Sequence, residues 1–135
     1  MIVVDASVAL AWCFEDEGSS AADFALDRLA EEGAIAPAIW PFEIASALRT
    51  AERRGRLDLA DVARLRGLLV ALPIDVEPID FPTALGEVVD LARTLDLTAY
   101  DAAYLALAAR RGLPLATIDE GLRRAAHAAG LEIVG

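Results

Sequence analysis

Residues 1–14, MIVVDASVALAWCF, decide the fold class. Ile2, Val3 and Val4 form an apolar run that does not alternate with polar residues, which is typical of a strand buried on both faces of a sheet. Asp5 ends the run, and an apolar helical pattern follows over residues 8–14. Because a strand that leads directly into a helix begins a βαβ unit, the stretch predicts a mostly parallel sheet covered by helices.

The rest of the chain continues this alternation. Further strands are predicted over residues 34–36, 76–79, 115–118 and 131–134, with helices at about 20–31, 41–54, 58–72, 82–95, 100–110 and 121–129. Pro78 lacks a backbone N–H donor, so the third strand is expected at an edge of the sheet. We therefore expect an α/β fold in which residues 1–135 form a single domain, with a central, mostly parallel five-stranded sheet flanked by helices.

Composition excludes several classes of protein. All 12 basic residues are arginine, and a chain without lysine cannot be a P-loop NTPase or a Schiff-base enzyme. The single histidine, His127, lies far from any nucleophile motif, which argues against a catalytic triad. One cysteine, Cys13, cannot form an internal disulfide, and no apolar stretch reaches the roughly 18 residues of a membrane span. We expect a cytoplasmic protein without a membrane segment.

Four acidic residues stand at the places where a parallel sheet binds ligands. Asp5 and Asp119 directly follow predicted strands, while Glu43 and Asp101 lie in the first turns of predicted helices. Ligands of such sheets bind outside the carboxyl ends of the strands, so these side chains can converge there. Two like charges about 4 Å apart repel by roughly 4 kcal/mol at an effective dielectric of 20. A hard divalent cation, Mg²⁺ or Mn²⁺, would neutralise such a cluster.

Each carboxylate also has a purely structural explanation. Asp5 and Asp119 are good N-cap residues for the helices that follow them. Thr98 and Asp101 have the spacing of a capping box, and Glu43 favours a helix N-terminus through the macrodipole. Spacing alone therefore leaves open whether these four residues bind a metal or cap helices.

Four motifs in the chain resemble the PIN-domain ribonucleases, specifically the VapC-type toxins of toxin–antitoxin pairs. They are I-V-V-D-A-S-V at the start, P-F-E-I-A-S-A-L, L-T-A-Y-D-A-A-Y-L-A-L-A, and L-A-T-I-D-E-G-L-R-R-A-A near the end. The first and last motifs are short, whereas the Y-D-A-A-Y-L-A-L-A segment followed by a T-x-D strand end is much more specific. The resemblance spans the whole chain and implies a PIN-like domain.

The resemblance implies a site and an activity. The acidic residues of the family's site fall on Asp5, Glu43, Asp101 and Asp119, and its small hydroxyl positions fall on Ser7 and Thr117. The implied reaction is hydrolysis of RNA phosphodiester bonds by a water molecule activated by Mg²⁺ or Mn²⁺. The resemblance also implies a VapB-like antitoxin as partner and a homodimer.

The antitoxin is expected to occupy an apolar groove and to bring a basic side chain towards the carboxylates. Trp12, Phe14, Trp40 and Phe42 are the aromatic residues that could line such a groove. Aromatic residues at helical spacing usually pack in the core, and this alternative remains open for each of them.

A net charge of −10 is the opposite of the basic footprint of most nucleic-acid binders. Arginine is nevertheless clustered, and Arg49, Arg53 and Arg54 are the candidate RNA contacts, because guanidinium groups bind phosphate and stack on unpaired bases. Alternatively, these side chains only form a solvated helix face and balance the dipole at the helix C-terminus.

Two other classes of function use the same residues. A metal-dependent phosphatase or a DNA nuclease would need the same carboxylates, although a phosphatase with an aspartyl nucleophile would also need a D-x-D strand end and a lysine. A PIN-like module that binds RNA or a protein partner without cleaving it is the non-enzymatic alternative.

Overall fold

One parallel sheet forms the centre of the protein. The computed structural model describes the backbone of residues 1–135 and every side chain except that of Glu15. The sheet has the strand order β3-β2-β1-β4, and every pairing in it is parallel. The strands are β1 (Ile2–Val4), β2 (Ala34–Pro37), β3 (Ile74–Glu77) and β4 (Leu115–Ala116).

Helices connect the strands, as expected for parallel neighbours. They are α1 (Ala6–Cys13), α2 (Ser20–Glu32), α3 (Trp40–Arg53), α4 (Leu59–Ala71), α5 (Phe81–Thr83), α6 (Val89–Leu95), α7 (Ala99–Arg111) and α8 (Glu120–Ala128). A π-helical turn, Ala84–Val88, joins α5 to α6. Among the helices described, none is long and apolar enough to cross a membrane.

The first strand is the buried centre of the sheet, as its apolar run predicts. Ile2, Val3 and Val4 have no exposed surface, and β1 pairs with β2 on one side and with β4 on the other. Helices α2 and α7 both contact β1. The predicted edge position of the third strand is confirmed. The strand ends at Glu77 rather than at residue 79, because Pro78 has no N–H to continue the ladder.

The prediction of a fifth strand over residues 131–134 is wrong. That segment makes only an isolated parallel bridge, in which Ile133 lies opposite Leu115. The reason is the length of its neighbour: β4 has two residues, and Leu115 alone donates to Glu132 O and accepts from Val134 N. The sheet therefore has four strands, all parallel, rather than five that are mostly parallel.

The short β4 also changes the predicted end of the fourth strand. Residues 117 and 118 were expected to extend the strand, but the ladder stops at Ala116. Because β2 and β3 lie on one side of β1 and β4 on the other, the strand order reverses at β1. The carboxyl ends of β1 and β4 therefore border the crevice where open α/β sheets bind their ligands.

Candidate active site

Asp5 lies at the bottom of this crevice. It follows β1, is 6% exposed, and its backbone N–H donates to Ala116 O at 3.0 Å. Its Oδ2 accepts hydrogen bonds from Ser7 Oγ and from Thr117 Oγ1, each at 2.7 Å. The side chain makes no capping bond to α1, so capping does not account for this residue. Both hydroxyls bind the same oxygen, which leaves Oδ1 for another ligand.

The two hydroxyls fix the geometry around Asp5. Ser7 Oγ lies 3.3 Å from Thr117 Oγ1 and accepts from Ile118 N at 3.2 Å. Thr117 Oγ1 also accepts from Asp119 N at 3.1 Å. The network ties the start of α1 to the segment after β4, although the two are more than one hundred residues apart in sequence. It orients Asp5 and holds the backbone of Asp119 beside it.

Asp119 has a capping role that leaves part of its carboxylate free. It is the N-cap of α8, and its Oδ2 accepts from Leu122 N at 2.8 Å. The capping explanation is therefore right for this residue, but it uses only one of the two oxygens. One helical turn further on, the half-buried Arg123 donates to Thr117 O at 3.1 Å. Arg123 is not one of the three RNA contacts named in the sequence analysis, Arg49, Arg53 and Arg54.

Asp101 occupies the first turn of α7. Its backbone N–H donates to Thr98 Oγ1 at 3.1 Å, which is one half of a capping box. Among the described residues, the Asp101 side chain does not accept the reciprocal hydrogen bond from the backbone N–H of Thr98. In α4, by contrast, Asp58 and Asp61 form both halves. Capping thus employs the backbone of Asp101 and leaves its carboxylate free.

Glu43 reaches the same crevice from the first turn of α3. Its Oε1 accepts a hydrogen bond from the hydroxyl of Tyr104, a residue of α7 with no exposed surface. Tyr104 is not among the site residues predicted from the sequence. A signal was present, because Tyr104 follows Asp101 by three residues, and this spacing places both side chains on one face of a helix.

The charges of the carboxylates influence one another in pairs. Partial burial raises the pKa of Glu43, and the charges of Asp5 and Asp101 raise it further, against the hydrogen bond from Tyr104. Burial also raises the pKa of Asp101, with additional contributions from the charges of Asp119 and Asp5. Asp5 and Asp101 thus each interact electrostatically with Glu43, and Asp5 and Asp119 each interact with Asp101, although these residues come from four separate segments of the chain.

The carboxylates form an open cluster rather than a closed coordination sphere. Among the side chains that the structure describes, no group of three or more histidine, cysteine, aspartate or glutamate residues has the arrangement of a formed metal site. Like charges repel, which favours side-chain positions that keep carboxylates apart unless a cation lies between them. By donor type and charge, the cluster fits a hard divalent cation.

The three arginines proposed as RNA contacts lie away from this cluster. Arg49 pairs with Glu52 at 2.6 Å, and Arg53 ends α3. Arg53 lies ten positions after Glu43, which is roughly 15 Å along the helix axis at 1.5 Å per residue. Arg54 follows as the C-cap. RNA bound through these three side chains would have to extend along α3 to reach the carboxylates.

From the raised pKa of Glu43 we predict how the stability of a Glu43 variant depends on pH. The folded, metal-free chain holds the proton of Glu43 more tightly than the unfolded chain does. The free energy of unfolding therefore falls as pH rises from the ordinary glutamate pKa through the raised value, because the carboxylate then ionises in the fold. Glu43→Gln removes this charge and can still accept from Tyr104. In EDTA, we expect the variant to melt a few degrees above the parent at pH 7.5 and at the same temperature as the parent at pH 3.5, by calorimetry. An equal difference at both pH values would contradict the assignment.

Comparisons with known proteins agree with the fold. The family model described as PIN domain matches residues 2–128. The crystal structure of PAE2754 from Pyrobaculum aerophilum is similar, with a TM-score of 0.68 and 29% identity over 92% of this chain and 84% of that one. VapC20 from Mycobacterium tuberculosis has a TM-score of 0.65 and 18% identity over 97% and 96%. No curated protein sequence gives a significant match. Since the family match spans nearly all of its length, the chain belongs to the PIN-domain family.

Proposed function

We propose that the chain is a metal-dependent endoribonuclease that hydrolyses RNA phosphodiester bonds and acts as the toxin of a toxin–antitoxin pair. The observation that carries this proposal is the meeting of Asp5, Glu43, Asp101 and Asp119 at the carboxyl ends of β1 and β4. Two comparisons support it. PIN domains are generally nucleases, and VapC20 is described as a Sarcin-Ricin loop cleaving toxin.

The donor set favours Mg²⁺ or Mn²⁺ as the cofactor. Three of the carboxylates have one oxygen engaged by a protein donor: Oδ2 of Asp5, Oδ2 of Asp119 and Oε1 of Glu43. Each therefore offers its second oxygen as a single ligand, while Asp101 accepts no hydrogen bond from the described residues. Mg²⁺ is usually held by a few carboxylate oxygens together with several water molecules, so this set is sufficient.

The chain's own residues divide the work of hydrolysis between them. A divalent cation held by these carboxylates would supply a water of lowered pKa and would stabilise charge on the scissile phosphate. Asp5, held by Ser7 and Thr117, and Asp101 are the proposed direct ligands. Glu43 and Asp119 are proposed to bind directly, to bind through water, or to help accept the proton from the attacking water. Such a mechanism needs no covalent nucleophile.

An acidic protein that binds RNA needs local positive charge beside the reacting bond. The net charge of the chain is −10, so long-range attraction of RNA is unfavourable. Arg123 is half-buried, lies one helical turn after Asp119 and donates to Thr117 O, and we propose it as a candidate phosphate contact near the cluster. Arg49, Arg53 and Arg54 remain proposed contacts for more distant phosphates.

The proposed partners are a VapB-like antitoxin and a second copy of the chain in a homodimer. Of the aromatic residues considered for an antitoxin groove, Phe14 and Trp40 are buried, and the half-buried Trp12 donates to Ala22 O. Phe42, in contrast, is 72% exposed next to Glu43 and lines a groove of about 330 Å³ with Ile79. A segment bound there would lie beside the carboxylates. Full RNA cleavage by a stable complex with the antitoxin would contradict inhibition by this route.

The experiment that tests the function compares three substrates. Purified protein with Mn²⁺ is incubated with single-stranded RNA, with DNA of the same sequence and with p-nitrophenyl phosphate. We expect internal cleavage of RNA and no turnover of the other two. Turnover of the ester would favour a phosphatase, and cleavage of DNA alone would favour a DNA nuclease. Binding of RNA without cleavage would favour a non-cleaving module.

A further inference from the structure

Tyr104 combines two properties that a residue used only for packing does not need. Its side chain has no exposed surface and belongs to the apolar core, where a phenylalanine would pack equally well. Its hydroxyl nevertheless donates a hydrogen bond to Oε1 of Glu43, a residue 61 positions earlier in the sequence. A buried tyrosine hydroxyl requires a partner, and here it donates to a carboxylate of the acidic cluster and lies near the backbone of Ala6.

We propose that Tyr104 is a positioning residue that holds Glu43 in the acidic cluster and presents its second oxygen, Oε2, to the divalent cation. The inference rests on the proposed function, and it assigns a role to a residue outside the acidic and hydroxyl positions. Tyr104 itself does not touch substrate or cation in this assignment, because its hydroxyl is directed at Oε1.

Without Tyr104, the Glu43 side chain would be less restrained than those of Asp5 and Asp119. Asp5 is held by two hydroxyls, and Asp119 is held by the N–H of Leu122. A glutamate side chain has more rotatable bonds than aspartate, and the first turn of α3 is open to solvent on one side. The charges of Asp5 and Asp101 repel Glu43. Without the hydroxyl, the side chain is expected to rotate towards water.

The placement of Tyr104 makes the restraint rigid. The residue lies on α7, the same helix that carries Asp101, and its ring is fixed by the core. Helix α7 thus supplies one carboxylate directly and fixes a second one that belongs to α3. The relative positions of Asp101 and Glu43 are therefore set by one packed helix rather than by two side chains that move independently.

The test compares Tyr104→Phe with a matched control, Tyr100→Phe. Tyr100 lies one helical turn earlier on α7, is 60% exposed, and its hydroxyl forms no hydrogen bond with the described residues. Mn²⁺ affinity is measured by calorimetry, and RNA cleavage is measured as kcat and KM. We expect Tyr104→Phe to lower Mn²⁺ affinity and kcat by about 10-fold, the lower end of the effect of removing an outer hydrogen bond at a metal site, with KM for RNA unchanged. Tyr100→Phe should match the parent.

A double-mutant cycle separates positioning from a structural role. If Tyr104 acts through Glu43, then Tyr104→Phe introduced into a Glu43→Gln chain lowers kcat no further, whereas a general disturbance of the fold adds to the loss. Partial unfolding is recognised in the calorimetry, because it lowers the number of Mn²⁺ ions bound per chain rather than the affinity.

The outcomes distinguish the two levels of the account. If the parent binds Mn²⁺ and cleaves RNA, and Tyr104→Phe does both equally well, the positioning role is wrong. The proposed function is then unaffected. Additive losses in the double-mutant cycle overturn the positioning role as well. A parent that neither binds Mn²⁺ nor cleaves RNA overturns the proposed function and the role of Tyr104 together.

Discussion

The Asp101→Asn variant is expected to cleave RNA about 10² to 10³ times more slowly than the parent, the range found when one group that stabilises developing charge is removed. The carboxylate of Asp101 is not used to cap α7, because only its backbone N–H bonds to Thr98. Asparagine keeps this backbone bond and nearly the same shape. The variant therefore removes one charge from the cluster and little else.

We do not expect Asp101→Asn to lower the stability of the folded, metal-free protein. Burial and the charges of Asp119 and Asp5 raise the pKa of Asp101, so its ionised form is unfavourable in the metal-free fold. Asp101→Asn is expected to melt at or above the temperature of the parent in EDTA at pH 7.5. Asp23→Asn is the matched control, since Asp23 is an exposed aspartate in the first turn of α2. Cleavage by Asp101→Asn at the rate of Asp23→Asn would remove Asp101 from the site.

Chelation is expected to abolish cleavage entirely. After dialysis against EDTA, the cluster holds the repelling charges of Asp5, Glu43, Asp101 and Asp119 with no cation to activate water. Adding Mg²⁺ or Mn²⁺ should restore the full rate. The measurement is the initial rate of RNA cleavage at a fixed concentration of each metal.

Calcium is the informative control for chelation. Ca²⁺ takes six to eight oxygen ligands and commonly binds carboxylates through both oxygens. One oxygen of Asp5, of Asp119 and of Glu43 is already engaged by a protein donor, which disfavours this mode. Ca²⁺ is therefore expected to restore little activity. Undiminished cleavage in EDTA would show that the carboxylates serve another purpose.

The alternation of strands and helices could be predicted because it depends on local patterns. An apolar run without polar alternation, such as residues 2–4, is typical of a strand buried on both faces of a sheet, and β1 occupies such a position. The run at 131–134 shows the limit of this reasoning. Its apolar residues do report burial, since Val134 is 2% exposed, but pairing depends on a neighbour, and β4 offers only two residues.

The acidic positions could be proposed from the sequence for a topological reason. Residues that follow parallel strands gather at one edge, whatever the details of packing. Tyr104 could not be assigned in the same way, because a tyrosine in an apolar helical pattern is indistinguishable from a core residue until the partner of its hydroxyl is known. That partner, Glu43, lies 61 residues away in the chain.

The positions of the arginines show that a cluster of positive charge in the sequence does not identify the residues near the acidic site. Arg53 and Arg54 form a conspicuous pair in the sequence, yet α3 carries them away from the crevice that its first turn enters. Arg123 also belongs to an arginine pair in the sequence, with Arg124, but α8 begins next to β4, and Arg123 donates to Thr117 O. Clustering in the sequence therefore does not show which arginine lies near the strand ends.

Direct titration with Mn²⁺ tests the central claim, that carboxylates from four separate segments form one cation site. Calorimetry on the EDTA-treated and dialysed parent should show saturable uptake of one or two ions per chain, greatly weakened in Asp5→Asn and in Asp101→Asn, and unchanged in Asp23→Asn. Absence of Mn²⁺ uptake by the folded parent, or equal uptake by all four proteins, would contradict the claim.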